Sequence, residues 1–194
     1  SQPLVIDPSL TYFTYLGGGP GTDIGYGIAV DTSGNAYITG LTSSLGLAPS
    51  GAAQTAYGGG GYDAFVARIN STGTALTYFT YLGGPSTDIG YGIAVDTSGN
   101  AYITGLTSSL GLAPSGAAQT AYGGGGYDAF VARINSTGTA LTYFTYLGGP
   151  STDIGYGIAV DTSGNAYITG QTFSSGLATS GVFQGSLFGG GGGT

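Results

Sequence analysis

The sequence predicts an all-β chain of tandem four-stranded antiparallel units, about three of them, not closed within one chain. Three observations carry the prediction. Residues 22–105 recur without a substitution as residues 87–170, an offset of 65 residues. A fixed period of this length marks a propeller, solenoid or array. Each unit holds short runs rich in β-branched and aromatic residues, bounded by Gly, Asn, Asp and Ser. No run shows helical periodicity with a cap. The chain divides accordingly into a lead-in with a first strand (1–21), two full units (22–86 and 87–151) and an incomplete third (152–194).

The elements of the first unit follow in order. Ile24-Gly-Tyr26-Gly-Ile28-Ala-Val30 alternates large apolar residues with Gly or Ala, so one face of this strand is nearly bare, as crowded sheets require. DTSGN at residues 31–35 reads as a turn, because Asp and Ser bond nearby backbone while Gly and Asn tolerate positive φ. Residues 36–42 (AYITGLT) form the return strand. After a long loop of small residues, YDAFVARI at 62–69 forms the third strand. Asn70-Ser71-Thr72-Gly73 turns it into LTYFTYL at 76–82. Several of these strands carry apolar residues on both faces, which fits a sheet packed between two others. A four-stranded unit buried on both sides is a propeller-like blade.

The motifs YGIAVDTSGNAYITGLTSS, YGGGGYDAFVARIN and LTYFTYLGG together resemble the bacterial SBBP repeat, a family named for seven-bladed β-propellers. The opening from Pro3 to Leu10 resembles the usual lead-in to such arrays. The resemblance implies a secreted or surface-attached protein and supplies no catalytic residues. This sequence departs from the pattern in the loop after the second strand. A bulky aromatic usually precedes the Gln there, but Ala53 and Ala118 occupy the position and only Phe183 conforms.

Counting strands exposes a closure problem. A fourth-type strand begins at Leu10, and the chain stops before a last third-type strand, giving eleven strands. Propellers close with about four to eight blades. An open array leaves strand edges and apolar faces that recruit other chains. The sequence is therefore an excerpt of a longer propeller, half of a six-bladed ring, or a subunit joined head to tail to its copies. Under the last reading Leu10, Tyr12, Phe13, Tyr15 and Leu16 form the assembly strand.

Composition narrows the function classes. Of 194 residues 42 are Gly, the nine acids are all Asp, and Arg68 and Arg133 are the only bases, for a net charge of −7. Two isolated Arg cannot neutralise a run of phosphates, which excludes nucleic acid. No apolar run reaches the roughly twenty residues of a membrane helix, so no membrane insertion is expected. The start at Ser1 reads as a mature or trimmed one, compatible with secretion. Poverty in charge and sulfur suits an abundant extracellular or cell-surface material.

Catalysis finds little to work with. Neither His nor Cys is present, so no serine-type triad and no zinc centre can be assembled. The carboxylates recur as Asp23/Asp88/Asp153, Asp31/Asp96/Asp161 and Asp63/Asp128. Identical units promise identical surroundings, whereas a glycosidase needs two carboxylates in different ones. The Gly runs at 58–61 and 123–126 lack the Lys and the helix of a phosphate loop. No cofactor is expected. Calcium is the one weak candidate, at Asp31, Asp96 and Asp161, because DTSGN offers oxygens but lacks the alternating acids and distal Glu of a calcium loop. Asn70 and Asn135 match the N-glycosylation pattern on hairpin turns. The 16 Tyr offer faces that stack on sugars or pack between blades.

These readings favour a non-enzymatic structural protein that assembles with itself into a filament or surface layer. The competing expectation is a secreted adhesion propeller that binds glycans or a protein.

Overall fold

A computed structural model describes residues 10–187. Ten strands form three antiparallel sheets: β1 (Asp23–Val30), β2 (Ala36–Thr42), β3 (Asp63–Ile69) and β4 (Leu76–Leu82); β5 (Asp88–Val95), β6 (Ala101–Thr107), β7 (Asp128–Ile134) and β8 (Leu141–Leu147); and β9 (Asp153–Val160) with β10 (Ala166–Thr172). Strand order follows the chain in each sheet. No helix occurs among the described residues, and the array is open. The strands stand within a residue of their sequence-predicted bounds because hydrophobic period and turn chemistry agree on them.

Blades stack so that the innermost strands β1, β5 and β9 run side by side. The main core lies between blades one and two. Tyr37, Ala64, Val66, Tyr78 and Leu82 of the first pack on Ile93, Ile103, Phe130, Ile134, Phe144 and Tyr146 of the second. A second cluster on the other side of blade one gathers Phe65, Ala67, Phe79 and Tyr81 around Leu16 and Leu47. Bare positions permit the close approach. A Cβ on Gly27 would stand 2.7 Å from the Tyr91 carbonyl, and one on Gly92 2.8 Å from that of Tyr156.

Two expectations are corrected. First, residues 10–16 are not a strand: no ladder forms there among the described residues. Leu10, Phe13 and Tyr15 are exposed, because this segment has no third-type strand beside it to complete the hydrogen bonds a strand requires. It nevertheless holds a fourth strand's place, with Leu16 in the second cluster and Tyr12 against Gly73. The lead-in resemblance at residues 3–9, and the Gly-rich terminus at 189–194, lie outside the described residues.

Second, the innermost strand does not alternate simply. Gly25 pairs with Gly40 and Gly27 with Thr39, leaving Tyr26 as a bulge; Tyr91 and Tyr156 repeat it. One extra residue flips the faces beyond it. Ile24 therefore sits opposite Leu41 and Ile28 opposite Ile38, on different sides of the sheet.

The departing loop position also behaves differently from its resemblance. Ala53 packs against the main cluster and its N–H donates to the Gly138 carbonyl at 2.8 Å. Phe183, the one residue that conforms, is fully exposed.

Candidate functional site

The arrangement with the clearest chemical character is the blade junction, built twice within the chain and half-built at each side of it. Its polar end starts from Asp63 and Asp88, which open β3 and β5. Both carboxylates are buried, at 0% and 1% exposure. The Asp88 N–H donates to the Tyr62 carbonyl at 2.8 Å, tying the two strand starts together. Asp88 accepts bonds from the Gly84 N–H at 2.8 Å, from Ser109 Oγ at 2.7 Å and from Thr107 Oγ1. Asp63 Oδ2 accepts the Gly58 N–H at 2.7 Å and Gln54 Nε2 at 3.2 Å, while Asp63 Oδ1 is buried without a partner. Asp128 and Asp153 reproduce the set, including the partnerless Asp128 Oδ1. Burial, with the neighbouring Asp88 charge adding to it, pushes Asp63 up to about 7 against the pull of its hydrogen bonds. Asp88 and Asp128 are raised for the same leading reason.

Identical units thus do not give all carboxylates identical surroundings, since each junction joins two Asp of different type. The sequence could not show this, because the partners belong to different repeats and meet only when blades stack.

The other end of each blade carries the DTSGN turn. Asp31 Oδ1 accepts the Ser33 and Asn35 N–H groups at 2.9 Å each. Its Oδ2 takes Asn35 Nδ2 at 2.8 Å, Tyr37 Oη at 3.2 Å and Arg68 Nη2 at 3.4 Å. Arg68 also lies over the Tyr37 ring, 5.3 Å from its centre. Burial alone would raise Asp31, but these bonds outweigh it and hold the carboxyl below its ordinary range; Asp96 follows suit. Asp31, Asp96 and Asp161 sit on separate blades, each filled by its own turn's donors. No group of three acids converges among the described residues.

Asn70 and Asn135 occupy the tips of the β3–β4 and β7–β8 hairpins. Their side-chain amides are engaged within the turn, Asn70 Nδ2 with Thr74 Oγ1 at 3.0 Å and Asn135 Nδ2 with Thr139 Oγ1 at the same distance.

The apolar part of the junction sets back face against front face. Tyr37 is 0% exposed and its hydroxyl reaches the Gly99 turn of blade two; Tyr102 is 5% exposed over Gly164. The third copy, Tyr167, is 61% exposed. On the opposite face Ile93 is 7% exposed and its first-blade copy Ile28 is 69% exposed. Between blades two and three a cleft of about 480 Å³ opens, lined by Tyr102, Val131, Arg133, Tyr143, Leu147 and Ile168 among others. At the preceding junction the corresponding space is filled by β7 and β8.

At the inner edge the bulged tyrosines form a row, with ring centres 5.2 Å apart for Tyr26–Tyr91 and 5.7 Å for Tyr91–Tyr156. Alternation in the sequence placed these rings in the sheet and gave no sign of the bulge.

The family model for SBBP, described as a beta-propeller repeat, matches residues 11–46, 77–111 and 142–178, more than half of the chain. Each match runs from a fourth-strand segment through the next unit's first two strands, so the family's unit straddles a blade junction. No curated protein matches the chain.

Proposed function

Because the chain belongs to the SBBP β-propeller repeat family, we propose that it is a non-catalytic extracellular structural module that assembles head to tail with copies of itself into a filament or surface layer. The observation that supports this most is the pair of half-junctions. Tyr167 and Ile28 are the exposed copies of side chains that are buried at the junction of the two complete blades, where Tyr37 is 0% and Ile93 7% exposed. The two-stranded sheet that carries Tyr167 repeats the first half of the faces that carry Tyr37 and Tyr102, and the hydroxyls of those two reach the turns of the next blade of this same sequence. A second copy of the chain therefore carries the complementary surface: Tyr167 of one copy settles on the Gly34 turn of the next, beside its Ile28. The free edge of β10 and the unladdered segment with Leu10, Tyr12, Phe13, Tyr15 and Leu16 extend the contact by strand pairing. Such a contact is heterologous, and it propagates unless its rotation closes a ring.

Analytical ultracentrifugation with negative-stain microscopy tests the reading. The wild-type chain is expected to form fibres or sheets that grow with concentration. Ile28→Asp and Tyr167→Asp each block one face and give monomers. Mixed together they give dimers, since each retains one good face. A wild-type chain that stays monomeric at about 100 μM, weaker than any useful assembly contact, would overturn the proposal.

A second reading rests on the row Tyr26–Tyr91–Tyr156, whose outer members are half-exposed. Tyr faces stack on sugars, and a secreted propeller that binds glycans would use them. Loss of glycan-array signal in Tyr91→Ala supports it; discrete particles with no glycan signal count against it.

A further inference from the structure

We propose that each blade junction is a buried proton-binding site, in which Asp63, set beside Asp88, carries a proton at the first junction and Asp128 carries one at the second. The observation is geometric. A Cβ built on Gly83 would lie 2.8 Å from Asp88 Oδ2 and 3.0 Å from Asp63 Oδ1, so both oxygens flank one point on the backbone of a single glycine. Both residues are buried, and two ionised carboxylates at such a place repel each other in a poorly screened setting.

No side chain of this protein can neutralise them. The chain has no Lys or His, and its two Arg are engaged at the far ends of β3 and β7, with Asp31 and Asp96. The groups facing the pair are neutral: Gln54 and Tyr57 from the long loop, Thr107 and Ser109 from β6 and its following residues, and the Tyr146 phenol. Tyr57 is itself raised, first by burial and then by the Asp63 charge.

The pattern of donors locates the proton. Asp88 accepts three hydrogen bonds, which favour its ionised form against the effect of burial. Asp63 has both its donors on Oδ2, leaving Oδ1 for the proton. Protonation there removes one of two neighbouring buried charges. Ionisation releases the proton to solvent and leaves two buried charges.

The sign of the pH effect follows. A carboxyl whose folded pKa is raised favours the folded state below its unfolded pKa, about 4, and that contribution is lost as pH rises toward about 7. Thermal melting followed from about pH 4 to about pH 8 should show a falling midpoint. The double variant Asp63→Asn/Asp128→Asn, an isosteric neutral pair, should flatten this fall while keeping the midpoint reached near pH 4. The wild-type chain supplies a second readout, independent of whether the variant folds. The infrared carbonyl stretch of an un-ionised carboxyl should persist at about pH 5.5, where free Asp is ionised, and vanish by about pH 9. A midpoint that rises across this range, a slope untouched by the double variant, or absence of the carbonyl band overturns the proposal. So does a calcium-induced rise in midpoint that Asp63→Asn abolishes, because the site would then hold a metal ion instead of a proton.

Discussion

Tyr78 of the first blade packs against Gly138 of the second, and a Cβ at that glycine would run into the base of the ring. Gly138 closes the β7–β8 hairpin at φ +74°, with its N–H donated to the Asn135 carbonyl at 3.0 Å. Its own carbonyl accepts the Ala53 N–H. One residue thus combines a left-handed turn, an aromatic contact and a backbone link between blades. Gly138→Ala should lower stability by about 2–4 kcal/mol, from the left-handed conformation together with displacement of a buried ring. Urea unfolding measures this. The same change at Gly111, also left-handed but with open space around it, should cost only the conformational part, about 1–2 kcal/mol.

Much of this was legible in the sequence. The strands and the DTSGN turn could be read because period and turn residues both act over a few neighbouring positions. Features that depend on stacking could not. Tyr26 looks like an ordinary alternating residue, and only pairing with β2 reveals the bulge. Residues 10–16 carry the same letters as β4 and β8, yet a strand needs a partner and none stands beside them among the described residues. Asp63 and Asp88 are 25 positions apart in different repeats, so no local motif marks them.

The loop between β2 and β3 offers a second test. Tyr81 is fully buried; its hydroxyl donates to the Ser44 carbonyl at 2.7 Å and accepts the Leu47 N–H at 3.1 Å. Tyr146 repeats this with Ser109 and Leu112 at 2.8 and 3.0 Å. Tyr81→Phe keeps the ring and leaves a buried carbonyl and N–H unpaired, at a cost of about 1–3 kcal/mol. Hydrogen exchange should localise the effect, with the Leu47 amide losing protection and β5–β7 unaffected. Uniform loss of protection across both blades would refute a loop-anchoring role.

The DTSGN turns set the acid limb of stability. Asp31 and Asp96 are held below the ordinary carboxylate range because turn bonds from Asn35 and Ser33, or Asn100 and Ser98, outweigh the raising effect of burial. A depressed folded pKa gives stability that is present above the unfolded value, about 4, and is lost as pH falls through the folded one. This is opposite in sign to the effect at Asp63, and the two windows meet near pH 4. Melting temperature should therefore peak near there, falling steeply below it and more gradually toward neutrality. Asp31→Asn keeps some turn bonds but cannot lose charge in acid, so it should lower stability at about pH 6 by about 1–2 kcal/mol and weaken the acid fall. Asp63→Asn combined with Asp128→Asn should flatten the neutral-side slope and leave the acid limb in place. If Asp31→Asn instead left the acid limb unchanged, protonation of these turns would not be what unfolds the blades at low pH.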